Sequence, residues 1–246
     1  MLLLLLAVLQ VSTTGIDAST LKVSPATTVA ELDLGKLKGE LRQICWSPDA
    51  TALYVQTAEG APGSEKLRHY SVSVNDGTET PLDAEPEWAT IYWNYKSDRF
   101  APGLRSIAIE MEQKLEKTKI GTGSGRPGAT GGSFDATGVD LDKTAEGQRQ
   151  NVVRLTLFGE NISEFVNERP MPGLMFSWGP IGSATIAYVE RDGGRLMLLD
   201  REKRKRAIAG TRDALLPTWS IDGSRLAWVQ KTGRKKYTLV WAAVGH

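Results

Sequence analysis

Apolar residues in this chain fall mostly in short bursts, many with a period of two, separated by turn residues. The segment LLPTWSIDGSRLAWV, from Leu215 to Val229, shows the pattern most cleanly: an apolar lead-in, a Trp-Ser pair, Asp222-Gly223, then the run Leu226 to Val229. Asp-Gly between two apolar segments marks a hairpin, because glycine accepts a positive φ at no steric cost. The stretch therefore predicts strand, tight turn, strand.

The same shape recurs. Trp46, Ser47, Pro48 and Asp49 precede the burst Ala52 to Val55, and Trp178, Gly179, Pro180 and Gly182 precede Ile186 to Val189. A looser copy places Trp93 at the Trp position, with Ser106 to Glu110 as its second strand. The steps between these tryptophans are 47, 85 and 41 residues. A repeat of about 40–50 residues is the period of propeller blades.

Two further strands follow each of the first three hairpins. After Trp178 they are Leu196 to Leu199 and a short strand at Ala207 to Ala209; after Trp46 they flank Asn75-Asp76-Gly77. After Trp93 they are delayed until NVVRLTLFGENISEFV, which leaves a Gly-rich insertion at about 113–150. The last unit has three strands, and the N-terminal TVAELDLGKL supplies the missing one. The expected fold is all-β: a β-propeller of about four four-stranded blades, the last closed by an N-terminal strand, which removes two open sheet edges. A β-sandwich is the alternative for period-two strands.

Trp46-Ser47-Pro48-Asp49-Ala50 and Trp219-Ser220-Ile221-Asp222-Gly223, each followed by an apolar strand, resemble the β-propeller repeat of the TolB and WD-like family. The resemblance runs from about Val29 to Val244, apart from the insertion, and implies blade geometry. TolB-type proteins have six blades and a separate N-terminal domain, absent from the pattern here, so the Tol role is not carried over. The repeat is also similar to the propeller that gates prolyl-oligopeptidase-type enzymes, but no Gly-x-Ser-x-Gly elbow in a strand-to-helix context accompanies it.

The apolar run from Met1 to Leu9 is too short for a transmembrane helix, which needs roughly 20 residues. With the small residues Gly15 and Ala18 after it, the segment 1–18 reads as a signal peptide, leaving 19–246 as one propeller domain. Bacterial periplasm or secretion is the expected location. Net charge is +1, which leaves no whole-protein basis for nucleic-acid binding. The basic run Arg201 to Arg206 and the cluster Arg234 to Lys236 fall at opposite ends of the blades, so they do not add up to one surface.

Catalytic chemistry finds little support. Cys45 is the single cysteine, between Ile44 and Trp46, and reads as packing. Gly123, Gly125 and Gly128 satisfy Gly-x-Gly-x-x-Gly, but more Gly and Ser follow instead of a helix, and Ala129 stands where a phosphate-binding lysine would be. Asp140-x-Asp142 starts like a calcium loop, yet Ala145 occupies the turn and Asn151 the closing position, which leaves at most an irregular site with Asp135. No cofactor and no metal are expected. Trp46, Trp178 and Trp219 repeat at one position and read as inter-blade packing, while Trp88 and Trp241 are possible surface contacts.

The expected function is a non-catalytic, exported, monomeric protein-binding or scaffold module. Its contact loop is the insertion, whose Gly-rich composition reads as flexible, with Phe134 as anchor and Arg126 as a polar contact. The alternatives are a propeller hydrolase or lactonase with a central-channel metal, and a truncated remnant of a larger TolB-like propeller.

Overall fold

The computed structural model describes residues 18–60, 64–97, 100–101, 104–115, 149–157, 160–167, 176–183, 185–190, 193–200, 202 and 204–245. Among them four antiparallel sheets are built, each from strands consecutive in the chain apart from two N-terminal strands that join the last.

Strands β1 (Lys22–Val23) and β2 (Thr27–Asp33) and the one-turn helix α1 (Leu34–Leu37) come first. Sheet one follows: β3 (Glu40–Trp46), β4 (Ala52–Glu59), β5 (Lys66–Ser73) and β6 (Glu79–Leu82). Helix α2 (Glu87–Ser97) leads to sheet two, made of β7 (Phe100–Ala101), β8 (Leu104–Leu115), β9 (Arg149–Leu157) and β10 (Glu160–Asn167). Sheet three comprises β11 (Phe176–Trp178), β12 (Ile186–Val189), β13 (Leu196–Leu199) and β14 (Lys205–Ala207). Sheet four takes β15 (Ala214–Trp219), β16 (Arg225–Gly233) and β17 (Lys236–Gly245).

The chain ends meet in sheet four. β2 pairs antiparallel with β17 from Lys236↔Asp33 to Trp241↔Thr27, and β1 extends the same edge at Val23↔Val244. The expected N-terminal strand therefore fills the open edge of the last sheet. Beyond that expectation, β1 lengthens the seam, and the hydroxyl of Ser24 accepts from the Ala243 amide at 2.9 Å.

The repeated hairpins share one turn geometry. Ser47 Oγ donates to Asp49 at 2.6 Å and accepts from the Ala52 amide at 3.0 Å; Ser220 Oγ donates to Asp222 at 2.5 Å and accepts from the Arg225 amide at 2.9 Å. The next side chain closes the carboxylate from the other side, Thr51 in one copy and Ser224 in the other. These bonds hold the Asp49 carboxyl below its ordinary range, led by Ser47; at Asp222 burial pushes upward, but Ser220 and Ser224 outweigh it. The Ser47 and Ser220 amides also donate to the Ala52 and Arg225 carbonyls, each at 2.9 Å, and a third copy keeps the counterpart, Gly179 amide to Thr185 carbonyl at 2.8 Å, without the carboxylate.

The looser copy differs from expectation. Trp93 does not end a first strand; it lies in α2, and the first strand of sheet two is the two-residue β7. Pro86-Glu87 starts a helix well, since proline fits the first turn and an acidic residue complements the amide dipoles there. The spacing of Ala89 and Tyr92, both buried, then gives α2 one inward face. β14 also begins at Lys205 and ends at Ala207, two residues ahead of the expected Ala207 to Ala209.

Two buried apolar seams join the sheets. Sheets three and four share Ala187, Val189, Leu196 and Leu198 against Trp219, Leu226, Trp228 and Val240. Sheets one and four share Ile44, Trp46, Leu53, Val55 and Val72 against Leu216, Ala227, Val229 and Leu239. Alternation along each strand makes both possible: residues two apart point to the same neighbour.

Candidate functional site

The face of sheet one turned away from sheet four is not apolar throughout. Period two puts Gln43 and Cys45 of β3, Tyr54 and Gln56 of β4, and His69 of β5 on one side, because Cys45 pairs with Tyr54 and Gln56 with His69 in register. Helix α2 covers this face, with Ala89 and Tyr92 packed on Cys45 and Tyr54. Cys45 is fully buried, as its apolar neighbours in the sequence suggest.

A chain of hydrogen bonds runs through the interface. Gln56 Nε2 donates to the Tyr54 hydroxyl at 3.0 Å and to Glu85 Oε2 at 3.0 Å. The Tyr54 hydroxyl is in turn hydrogen-bonded to His69 Nδ1, 2.7 Å away. Glu85 Oε1 accepts from Thr90 Oγ1 at 3.2 Å, tying the chain to α2. Burial, reinforced by the nearby Glu85 charge, raises the Tyr54 phenol well above its ordinary value.

Tyr92 makes the second polar tie. Its hydroxyl donates to the Trp219 carbonyl and accepts from Thr218 Oγ1 at 3.1 Å, so α2 is fastened to the first strand of sheet four. Two polar side chains on β11 and β3 are engaged as well: Ser177 Oγ donates to the Trp178 carbonyl at 3.2 Å, and Gln43 Nε2 reaches the Ala89 carbonyl at 3.5 Å. Among the described residues no group of three or more His, Cys, Asp or Glu could hold a metal ion.

Trp46, Trp178 and Trp219 are buried, and Trp46 Nε1 donates to the Thr218 carbonyl at 3.3 Å across the seam between sheets one and four. Trp88 and Trp241, expected as surface contacts, are half-buried and packed edge-on against Tyr54 and Trp46 at 6.1 and 6.2 Å. The basic run Arg201 to Arg206 is partly committed as well: Arg204 pairs with Asp200 and Glu202, and Arg206 donates to the Leu21 carbonyl.

Arg126 and Phe134 lie outside the described residues, as do the glycines and aspartates weighed for phosphate and calcium. The strands on either side are placed. β8 ends at Leu115 paired with Arg149, the first residue of β9, so the intervening segment leaves and returns at one end of sheet two. The sequence did not reveal the Tyr54–His69–Gln56–Glu85 chain, although alternation about Tyr54 and Gln56 would have placed those two on one face.

The class these features define is mostly β, built of antiparallel sheets, three of them four-stranded, with sheets three, four and one joined by apolar seams. No family model matches the chain, and no curated protein matches it. Among solved structures it is similar to TolB from Acinetobacter baumannii (8% identity, 84% of this chain and 43% of that one, TM-score 0.30). It is also similar to Sqt1 from Chaetomium thermophilum (12% identity, 84% and 44%, TM-score 0.25) and to the Cps50 (Swd1) beta-propeller domain of Myceliophteria thermophila (10% identity, 82% and 83%, TM-score 0.24). The chain spans less than half the length of the first two. No helix among the described residues is long and apolar enough to cross a membrane.

Proposed function

We propose that the chain is a four-bladed β-propeller which, after export to the periplasm or beyond the cell, acts as a monomeric, non-catalytic protein-binding scaffold. Its contact loop is the segment between β8 and β9, with Phe134 as apolar anchor and Arg126 as polar contact. The observation that carries the reading is the Leu115↔Arg149 pair: a segment of 33 residues opens from a single ladder position without interrupting the sheet. Loops on a rigid scaffold are where binding residues concentrate.

Other features support it. Asp49, Asp222 and the repeated tryptophans are taken up by turns and seams. Tyr54 and His69 are hydrogen-bonded to each other at 2.7 Å beneath α2, and burial raises the Tyr54 phenol above its ordinary value. Sheets three, four and one pack in succession, as neighbouring blades do.

The test compares the full chain with a variant in which residues 117–147 are replaced by a short Gly-Asn turn, and with Phe134→Ala and Arg126→Ala. Cross-linking in the exported fraction of the source cell, followed by binding measurements with the purified captured protein, should show one partner held by the full chain. Binding should fall at least tenfold in Phe134→Ala and vanish in the loop replacement. A partner held equally by the loop replacement would sink the loop assignment. Hydrolysis of a lactone or ester by the purified protein would sink the non-catalytic reading.

A further inference from the structure

The structure gives the N-terminal segment a role that bears on where the chain is cut. Ala18 is fully buried, and with Leu21 it belongs to the same apolar cluster as Leu198, Ile208 and Trp228. Its amide donates to Asp200 Oδ2 at 2.9 Å. The Asp200 carboxylate has no exposed side-chain surface, and its other partners are the Glu202 and Arg204 amides, each at 3.0 Å, and Arg204 Nε at 2.7 Å. A carboxylate removed from water depends on such a complete set of donors. Arg206, from the next strand, donates to the Leu21 carbonyl and holds the segment down. Ala18 is thus part of the folded core.

Two small residues follow the apolar run, Gly15 and Ala18, and a leader-removing peptidase needs a small residue just before the cut and another two positions earlier. Gly15 has Thr13 at that earlier position; Ala18 has the bulkier Ile16. A cut after Ala18 would discard a buried methyl group and take one donor from Asp200. A cut after Gly15 leaves both in place. We propose that the chain is processed at the Gly15–Ile16 bond and that Ala18 is retained as an anchoring residue of the mature protein. The step is a hydrolysis: water adds across the peptide bond, Gly15 leaves with the new carboxylate, and Ile16 keeps the nitrogen as an ammonium. This inference rests on the export reading, which moves the expected boundary of the leader from residue 18 to residue 15.

The full chain from Met1 is expressed in a bacterial host, and protein from the periplasmic fraction is subjected to intact-mass measurement and N-terminal sequencing. A start at Ile16 is expected. A start at Ser19 overturns the assignment while leaving export standing; an uncut chain confined to the cytoplasm overturns the export reading and the assignment with it. Gly15→Leu should abolish processing, and unchanged cutting in that variant overturns the proposal. Independently of any peptidase, chains expressed from Ile16 and from Ser19 are compared by thermal unfolding. The shorter chain should melt roughly 4–8 °C lower, and an Asp200→Asn background should shrink the difference. Equal melting overturns the anchoring role of Ala18.

Discussion

Arg225 reaches from β16 to the carbonyl oxygen of Ala50 in the first turn of sheet one, at 2.6 Å. On the way its guanidinium lies 4.9 Å from the ring centre of Trp241 and 5.6 Å from that of Trp46. One side chain thus joins the two repeated turns through a charge-assisted hydrogen bond and two aromatic faces. The planar guanidinium suits stacking and donation together, which the lysine ammonium does not. Arg225→Ala should destabilise the protein by about 2–3 kcal/mol, and Arg225→Lys should recover less than half of that. Urea denaturation midpoints check both; a lysine variant as stable as the parent would mean that charge alone matters.

A methyl group at the left-handed position is unfavourable in both turns, but to very different extents. Ala50 sits at φ +55° and Gly223 at φ +73°, equivalent positions in the two copies. A left-handed backbone costs an L-residue about 1–2 kcal/mol, part of which glycine returns through its greater freedom when unfolded. Ala50→Gly should therefore stabilise by about 0.5 kcal/mol. Gly223→Ala meets the same backbone strain, and its new Cβ would lie 2.2 Å from Pro180 Cγ. It should cost about 2–4 kcal/mol. Calorimetric melting of the two single variants reads the contrast directly.

Why these turns were legible in the sequence, and the site was not, follows from the range of the interactions. Trp-Ser-x-Asp-Gly satisfies itself within six residues, so the pattern announces the structure. β12 and β13 begin and end where the apolar bursts do, because strands buried along their whole length are uniformly apolar. The seam of β2 on β17 was legible because the last unit lacked a strand. Trp93 misled because an aromatic run fits a strand and a buried helix equally well, and only the Pro86-Glu87 start separates them. The polar chain from His69 to Glu85 joins three elements, and its meaning depends on α2 lying over sheet one. No spacing encodes that.

Tyr92 is the clearest case of such a long-range tie. Its hydroxyl connects α2 to the Trp219 carbonyl and to Thr218, in a place without exposed surface on either β15 residue. Tyr92→Phe keeps the ring and its packing but takes away the donor for a buried carbonyl. A loss of about 1–3 kcal/mol is expected, since an orphaned buried group costs more than a typical hydrogen bond gains. Thr218→Val removes a single bond to the same hydroxyl and should cost less. A double-mutant cycle by chemical denaturation should give a coupling above about 0.5 kcal/mol; strict additivity would show that the two groups do not interact.

Stability should have two pH edges, set by different residues. Asp49, Asp76 and Asp222 titrate below their ordinary 3.8, held there chiefly by turn hydrogen bonds: Ser47 at Asp49, the Thr78 amide at Asp76, and Ser220 and Ser224 overcoming burial at Asp222. A lowered folded-state pKa means the unfolded chain binds more protons near that value. The stabilisation is complete above pH 3.8 and is lost as pH falls through the folded values. Burial raises Tyr54, Tyr70 and Tyr237 above their ordinary 10.0. There the folded state holds the proton longer, so stability is full below pH 10.0 and falls as pH rises past it. Denaturation midpoints should therefore be level from about pH 5 to 9 and fall on both sides. Asp222→Asn should make the acid edge shallower and leave the alkaline edge as it is, while Tyr54→Phe should do the reverse. If Asp222→Asn leaves the acid edge unchanged, the carboxylate of that turn does not set it.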